Sequence, residues 1–171
     1  MKEVLKNLNL KQKNGRVLIE TICAMLLLVL LGAGCFSLSL STFGAYERLN
    51  ASKEKSSELR VASSFIMTKI RQNDVAGGLD VKPDSITGNN ALIIYENLDG
   101  EDYDTWIYYN AGYIMEALVL KGEEPSIDVS QTIAKVDSFQ IDYNREKNQI
   151  ITSVGINGLK AYKSTIKVRS K

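Results

Sequence analysis

An α+β protein, with one long N-terminal helix packed on an antiparallel β-sheet, is predicted by three features of the sequence. Residues 21–42 carry no charge, and beyond them no proline or glycine breaks the chain from residue 45 to residue 76. The remainder alternates short β-branched and aromatic segments with clusters of turn residues. At 171 residues the chain has room for one globular domain.

Residues 1–15 read as a basic leader. Lys2, Lys6, Lys11, Lys13 and Arg16 stand against Glu3 before Val17, and Glu20 alone is charged from Val17 to Phe43. A formal net charge of +1 therefore leaves −2 for residues 45–171. That balance offers no clustered basic face to displace counterions from phosphates, so direct nucleic-acid binding is not expected. The cations belong to topology instead.

Residues 16–43 are expected to form a transmembrane helix, because about 20 apolar residues rising 1.5 Å each cross a hydrocarbon core of roughly 30 Å. Five cations precede the run, while Glu47, Arg48 and Lys53 follow it. The positive-inside tendency then puts the N-terminus in the cytoplasm and the C-terminal part outside a single-pass cell membrane.

Residues 44–76 read as an amphipathic extension of the same helix. Leu59, Ala62, Ile66 and Ile70 recur at helical spacing, flanked by Phe65 and Met67, and Lys53, Lys55, Glu58, Arg60, Lys69 and Arg71 supply the wet side. Asn73-Asp74 and Ala76-Gly77-Gly78 end it. Residues 77–171 are expected to form the sheet, with strands at 91–95, 104–109, 113–120, 136–143, 149–156 and 162–168. Turns are placed at 97–100, 110–112, 145–148 and 155–158.

The chemistry-bearing residues exclude more than they include. Both cysteines, Cys23 and Cys35, lie in the apolar run, so the globular part has no thiol for a disulfide. Histidine is absent, which removes the commonest metal ligand and the usual proton shuttle near neutral pH. No glycine-rich phosphate cradle or nucleophile elbow occurs. The expectation is a protein without cofactor that is not an enzyme. Asp99, Glu101, Asp102 and Asp104 cluster without EF-hand spacing and read as a solvated hairpin turn, with a calcium site as the alternative. Trp106, Tyr108, Tyr109 and Tyr113 read as cross-strand or core packing rather than a binding face.

At the N-terminal edge of the apolar run, Gly15-Arg16-Val17-Leu18-Ile19-Glu20 sets a small residue after the leader and one carboxylate five positions later. A lone acid inside a membrane helix costs several kcal/mol, roughly, unless it is paired, so a functional reason is expected. Gly15 to Glu20, followed by the apolar stretch, resembles the cleavage and methylation segment of type IV prepilins and pseudopilins. The resemblance implies processing after Gly15 by a prepilin peptidase, Arg16 as the new N-methylated terminus, and Glu20 as the subunit-assembly carboxylate facing a neighbour's terminal amine. Arg16 departs from the family, which carries an apolar residue there, and points to a minor subunit. The helix-plus-sheet order is likewise pilin-like. Val61 to Gly78 and Thr105 to Val119 further resemble an uncharacterised family of Gram-positive pilin-like proteins.

The resemblance implies a subunit of a type IV pilus-like, competence or secretion pseudopilus filament in the cell envelope. Its partners would be other pilin-like subunits, met through the N-terminal helix. The alternative is a membrane-anchored binding or sensory domain that does not polymerise, held by a signal anchor or as a lipoprotein. Gly32-Ala33-Gly34-Cys35 resembles a lipoprotein processing site, but Gly32 replaces the usual leucine and Phe36, Leu38 and Leu40 continue the apolar run past Cys35.

Overall fold

A computed structural model describes the backbone of residues 2–169 and the side chains of residues 17–169. One helix, α1 (Lys2–Gln72), precedes eight strands: β1 (Leu79–Pro83), β2 (Asn90–Leu98), β3 (Glu101–Asn110), β4 (Tyr113–Leu120), β5 (Ser130–Lys135), β6 (Ser138–Asn144), β7 (Gln149–Gly155) and β8 (Tyr162–Lys167). The chain divides into two compact units, Met1–Ala51 and Ser52–Lys171. Among the described residues the first is helix alone. The second holds the end of α1 and every strand.

The α+β expectation holds: the helix packs against antiparallel sheet. One sheet was expected, however, and there are two. Strands β1 to β5 form a five-stranded meander in chain order, and β6 to β8 form a separate three-stranded meander. The crossing between them lies at Val136 and Asp137, whose N–H groups donate to Gly112 O and Gly155 O at 2.9 Å each. No glycine, proline or asparagine marks that crossing, so the split leaves no signal in the sequence.

Two strands escape the sequence pattern for physical reasons. Strand β1 ends in Pro83, which reads as a loop. Proline is tolerated there because β1 is an edge strand, paired only with β2. Strand β5, SQTIAK, buries only Ala134 and pairs on one side only, with β4, across a register shift at Ile114 and Met115. An edge strand with one buried side chain shows no alternation to detect.

The stripe on α1 behaves as its spacing predicts. Ala62, Ile66 and Ile70 are fully buried, and Leu59 and Phe65 flank them. They meet Leu92, Ile107 and Ile114 from the first sheet and Phe139, Ile141, Ile150 and Val154 from the second, so one helix face closes both sheets into one core. The helix ends at Gln72. Asn73 folds back on the last turn, its backbone and side-chain N–H groups both donating to Lys69 O.

The five-stranded sheet is buried on its other face as well. Ala91, Ile93, Trp106, Tyr108, Met115, Ala117 and Val119 form a second cluster, with Ile86 from the loop after β1 packed on it. This explains the unbroken buried runs of β2 and β3, whereas β6 keeps the in-out alternation of a strand with one wet face.

Both tight hairpins follow from their turn residues. Asp99 (φ 52) with Gly100 (φ 91), and Ala111 (φ 47) with Gly112 (φ 92), occupy the left-handed region at both central positions. That is the two-residue turn whose twist suits antiparallel strands.

Candidate anchor segment and surface groove

Apolar side chains on the first half of α1 have no protein to bury them. Leu26, Leu27, Leu28, Val29, Leu30 and Leu31 are each more than half exposed. The most apolar window of the helix is 0% buried, which separates it from the core helix of a water-soluble domain. By length and composition it is the one helix among the described residues able to cross a membrane.

Three hydroxyls in this segment are satisfied locally. Thr21 Oγ1 donates to Leu18 O at 2.9 Å, Ser39 Oγ to Cys35 O at 3.0 Å and Thr42 Oγ1 to Leu38 O at 2.9 Å. Hydroxyls bonded back along their own helix need nothing from the surroundings, as an apolar phase demands. Glu20 lies on this exposed stretch and is not without a partner. The expected processing residues, Gly15 and Arg16, lie outside the residues whose side chains are described. Around Gly32 and Gly34 nothing approaches within 4 Å, so close packing against another helix is sterically open.

The carboxylates weighed as a calcium site share one end of the sheet and do not converge on one point. Asp99 sits in the turn, Glu101 accepts from Tyr103 Oη at 2.9 Å, and Asp102 pairs with Lys121 Nζ at 2.9 Å and accepts from Asn97 Nδ2 at 2.7 Å. Asp104 is 4% exposed and accepts the Gly122 N–H at 2.9 Å. Strand alternation sends Glu101 and Asp102 to opposite faces, and no group of three or more acidic, histidine or cysteine residues among the described residues could hold a metal ion. Asp102 and Asp104 fasten the loop after β4 through Lys121 and Gly122. The Lys121 hydrogen bond, then that from Asn97, hold the Asp102 carboxyl below its ordinary range, and the Glu101 hydrogen bond raises the Tyr103 phenol.

Among the aromatics, Trp106 and Tyr108 are buried in the second cluster, and Tyr108 Oη shares a 2.7 Å hydrogen bond with Ser130 Oγ. Tyr109 Oη donates to Asp137 O at 3.0 Å, tying β3 to the crossing between sheets. Only Tyr113 of the four is exposed, at 38%.

Sequence reasoning missed a groove between α1 and β8. It encloses about 520 Å³ and is walled by helix residues from Ser56 to Arg71 and by Leu159, Lys160 and Tyr162. Tyr162 Oη donates to Met67 Sδ at 3.3 Å across it, and Lys55 Nζ donates to Asn157 O at 2.9 Å beside it. The one signal available was that Arg60 and Arg71 are eleven residues apart, about three helical turns, and so share a face.

Together the bare apolar helix and the two-sheet unit define a protein built for single-pass membrane association, with one α+β domain. Its family is that of the Domain of unknown function (DUF4860), to which the chain belongs: the family model matches residues 57–154, more than half of its length. The match runs from the last turns of α1 to the end of β7 and leaves out both the apolar run and β8. No curated protein and no solved structure matches the chain.

Proposed function

We propose that the chain is a structural, minor subunit of a type IV pilus-like, competence or secretion pseudopilus filament, processed after Gly15 and assembled through its N-terminal helix. One observation carries this reading: the apolar segment of α1 is wholly unburied yet bears a carboxylate, Glu20, five residues after the glycine that ends a basic leader. A plain tether needs the apolar residues and gains nothing from the acid, which membrane burial penalises. In a packed array of such helices, the acid of one subunit neutralises the terminal amine of the next once cleavage has exposed it. Two charges removed from water together cost less than the sum of the two removed separately, so the pair sets the register between subunits. The amphipathic half of α1, fastened to two sheets, supports the same reading, because the helix proposed to assemble continues in sequence into the globular part.

The test is intact-mass and N-terminal analysis of the protein from its native host, with fractionation of a Glu20→Ala variant. A mature chain beginning at Arg16, and loss of the variant from the filament fraction, are expected. An unprocessed N-terminus with unchanged fractionation of Glu20→Ala would leave a membrane-anchored domain that does not polymerise.

A further inference from the structure

The α1–β8 groove combines an apolar floor with charge of one sign. Leu59, Met67 and Tyr162 line it, and Arg60, Arg71 and Lys160 stand around them. Among the described residues, none of these three cations is in an ion pair. Arg71 also borders an adjoining depression with Lys167 and Arg169, where Asp74 is the single carboxylate and accepts the Arg169 N–H at 2.8 Å.

Negative charge is concentrated elsewhere in the same unit. Tyr103 at the start of β3 lies opposite Leu120 at the end of β4, so the β2–β3 turn and the loop after β4 share one end of the five-stranded sheet. That end exposes Asp99, Glu101, Glu123 and Glu124, while Lys121 is spent on Asp102. Beside the carboxylates are Leu98, Leu118 and Leu120, exposed by 44%, 47% and 48%, on one face of the sheet by their register. Acidic rim and apolar patch at this end match basic rim and apolar floor in the groove. No hydrogen bond or ion pair among the described residues joins the two surfaces within one copy.

We propose that a second copy of this chain docks the acidic end of its five-stranded sheet into the α1–β8 groove. The proposal rests on the filament reading and supplies the contact between globular units. Because the two patches differ, the contact is head-to-tail. It does not close on itself in a pair and propagates along a row of subunits. Several exposed charges acting together steer and align the encounter, and the apolar pair excludes water at its centre.

Full-length chains carrying Cys23→Ala and Cys35→Ala, one with Ser64→Cys in the groove and one with Glu123→Cys at the acidic end, test this in detergent micelles under mild oxidation. The mixed disulfide dimer is expected to form about tenfold faster than either self-dimer, with the advantage lost at roughly 1 M salt, where screening is complete within about 3 Å. Arg60→Glu with Arg71→Glu in the groove chain should abolish it, and Glu101→Lys with Glu124→Lys in the partner should restore it. Circular dichroism checks each fold, and Lys160→Glu replaces the double reversal if that variant fails to fold. A mixed dimer no faster than the self-dimers, or indifferent to charge reversal, overturns the proposal. So does protection of the groove cysteine from alkylation by added polyphosphate without mixed dimer, which would give the groove to an anionic polymer. The assay needs neither cleavage after Gly15 nor Glu20, so it can fail while the filament reading stands, and the reverse.

Discussion

Asp84 shows how one buried carboxylate shapes this protein. It is 3% exposed, and its Oδ1 accepts the N–H groups of Ile86 and Thr87 at 2.9 and 2.6 Å while Oδ2 accepts from Thr87 Oγ1 at 2.7 Å. The loop it closes carries Ile86 onto the second hydrophobic cluster. Asp84→Ala is expected to lower stability by roughly 2–3 kcal/mol, because two backbone donors lose their acceptor. Asp84→Asn, which keeps an oxygen for both, should cost under about 1 kcal/mol; urea unfolding of the two variants separates them, and equal losses would refute the loop-closing role. Asp104 is the counterpart on β3, with Oδ1 buried and without a hydrogen-bond partner among the described residues while Oδ2 holds the loop after β4 through Gly122. Neither role was legible from the residues, since an aspartate in a turn and one in a cation cage look alike until their neighbours are placed.

Helix α1 is two elements joined end to end, and the same substitution reads differently in each. Ile66 is 1% exposed against both sheets, whereas Leu27 is 60% exposed on the apolar half. Ile66→Ala should cost roughly 2–5 kcal/mol in unfolding of the second unit, from lost burial plus a cavity, and Leu27→Ala close to nothing in that measurement. Thermal unfolding followed at Trp106 would show it. The helix and its buried stripe could be read from spacing because helical periodicity is a local property. The edge strands β1 and β5 could not, because an edge strand is defined by what lies beside it.

At the level of the whole chain, an unburied apolar helix before a folded unit needs an apolar phase for about 20 residues. The full-length protein is therefore expected to stay with membranes through carbonate extraction, and Leu28→Arg with Val29→Asp to release it; retention of that variant would show that the helix is not the anchor. The order of apolar run, amphipathic helix and sheet followed from composition and period alone, because the hydrophobic effect sorts residues by spacing before any contact is made. Division into two sheets, burial of the first on both faces, the separate contacts of Asp102 and Asp104 and the basic groove beside β8 were decided by the tertiary structure. Each depends on which distant segments are brought side by side, and Val136-Asp137 crosses between sheets on hydrogen bonds to Gly112 and Gly155 that no local pattern records.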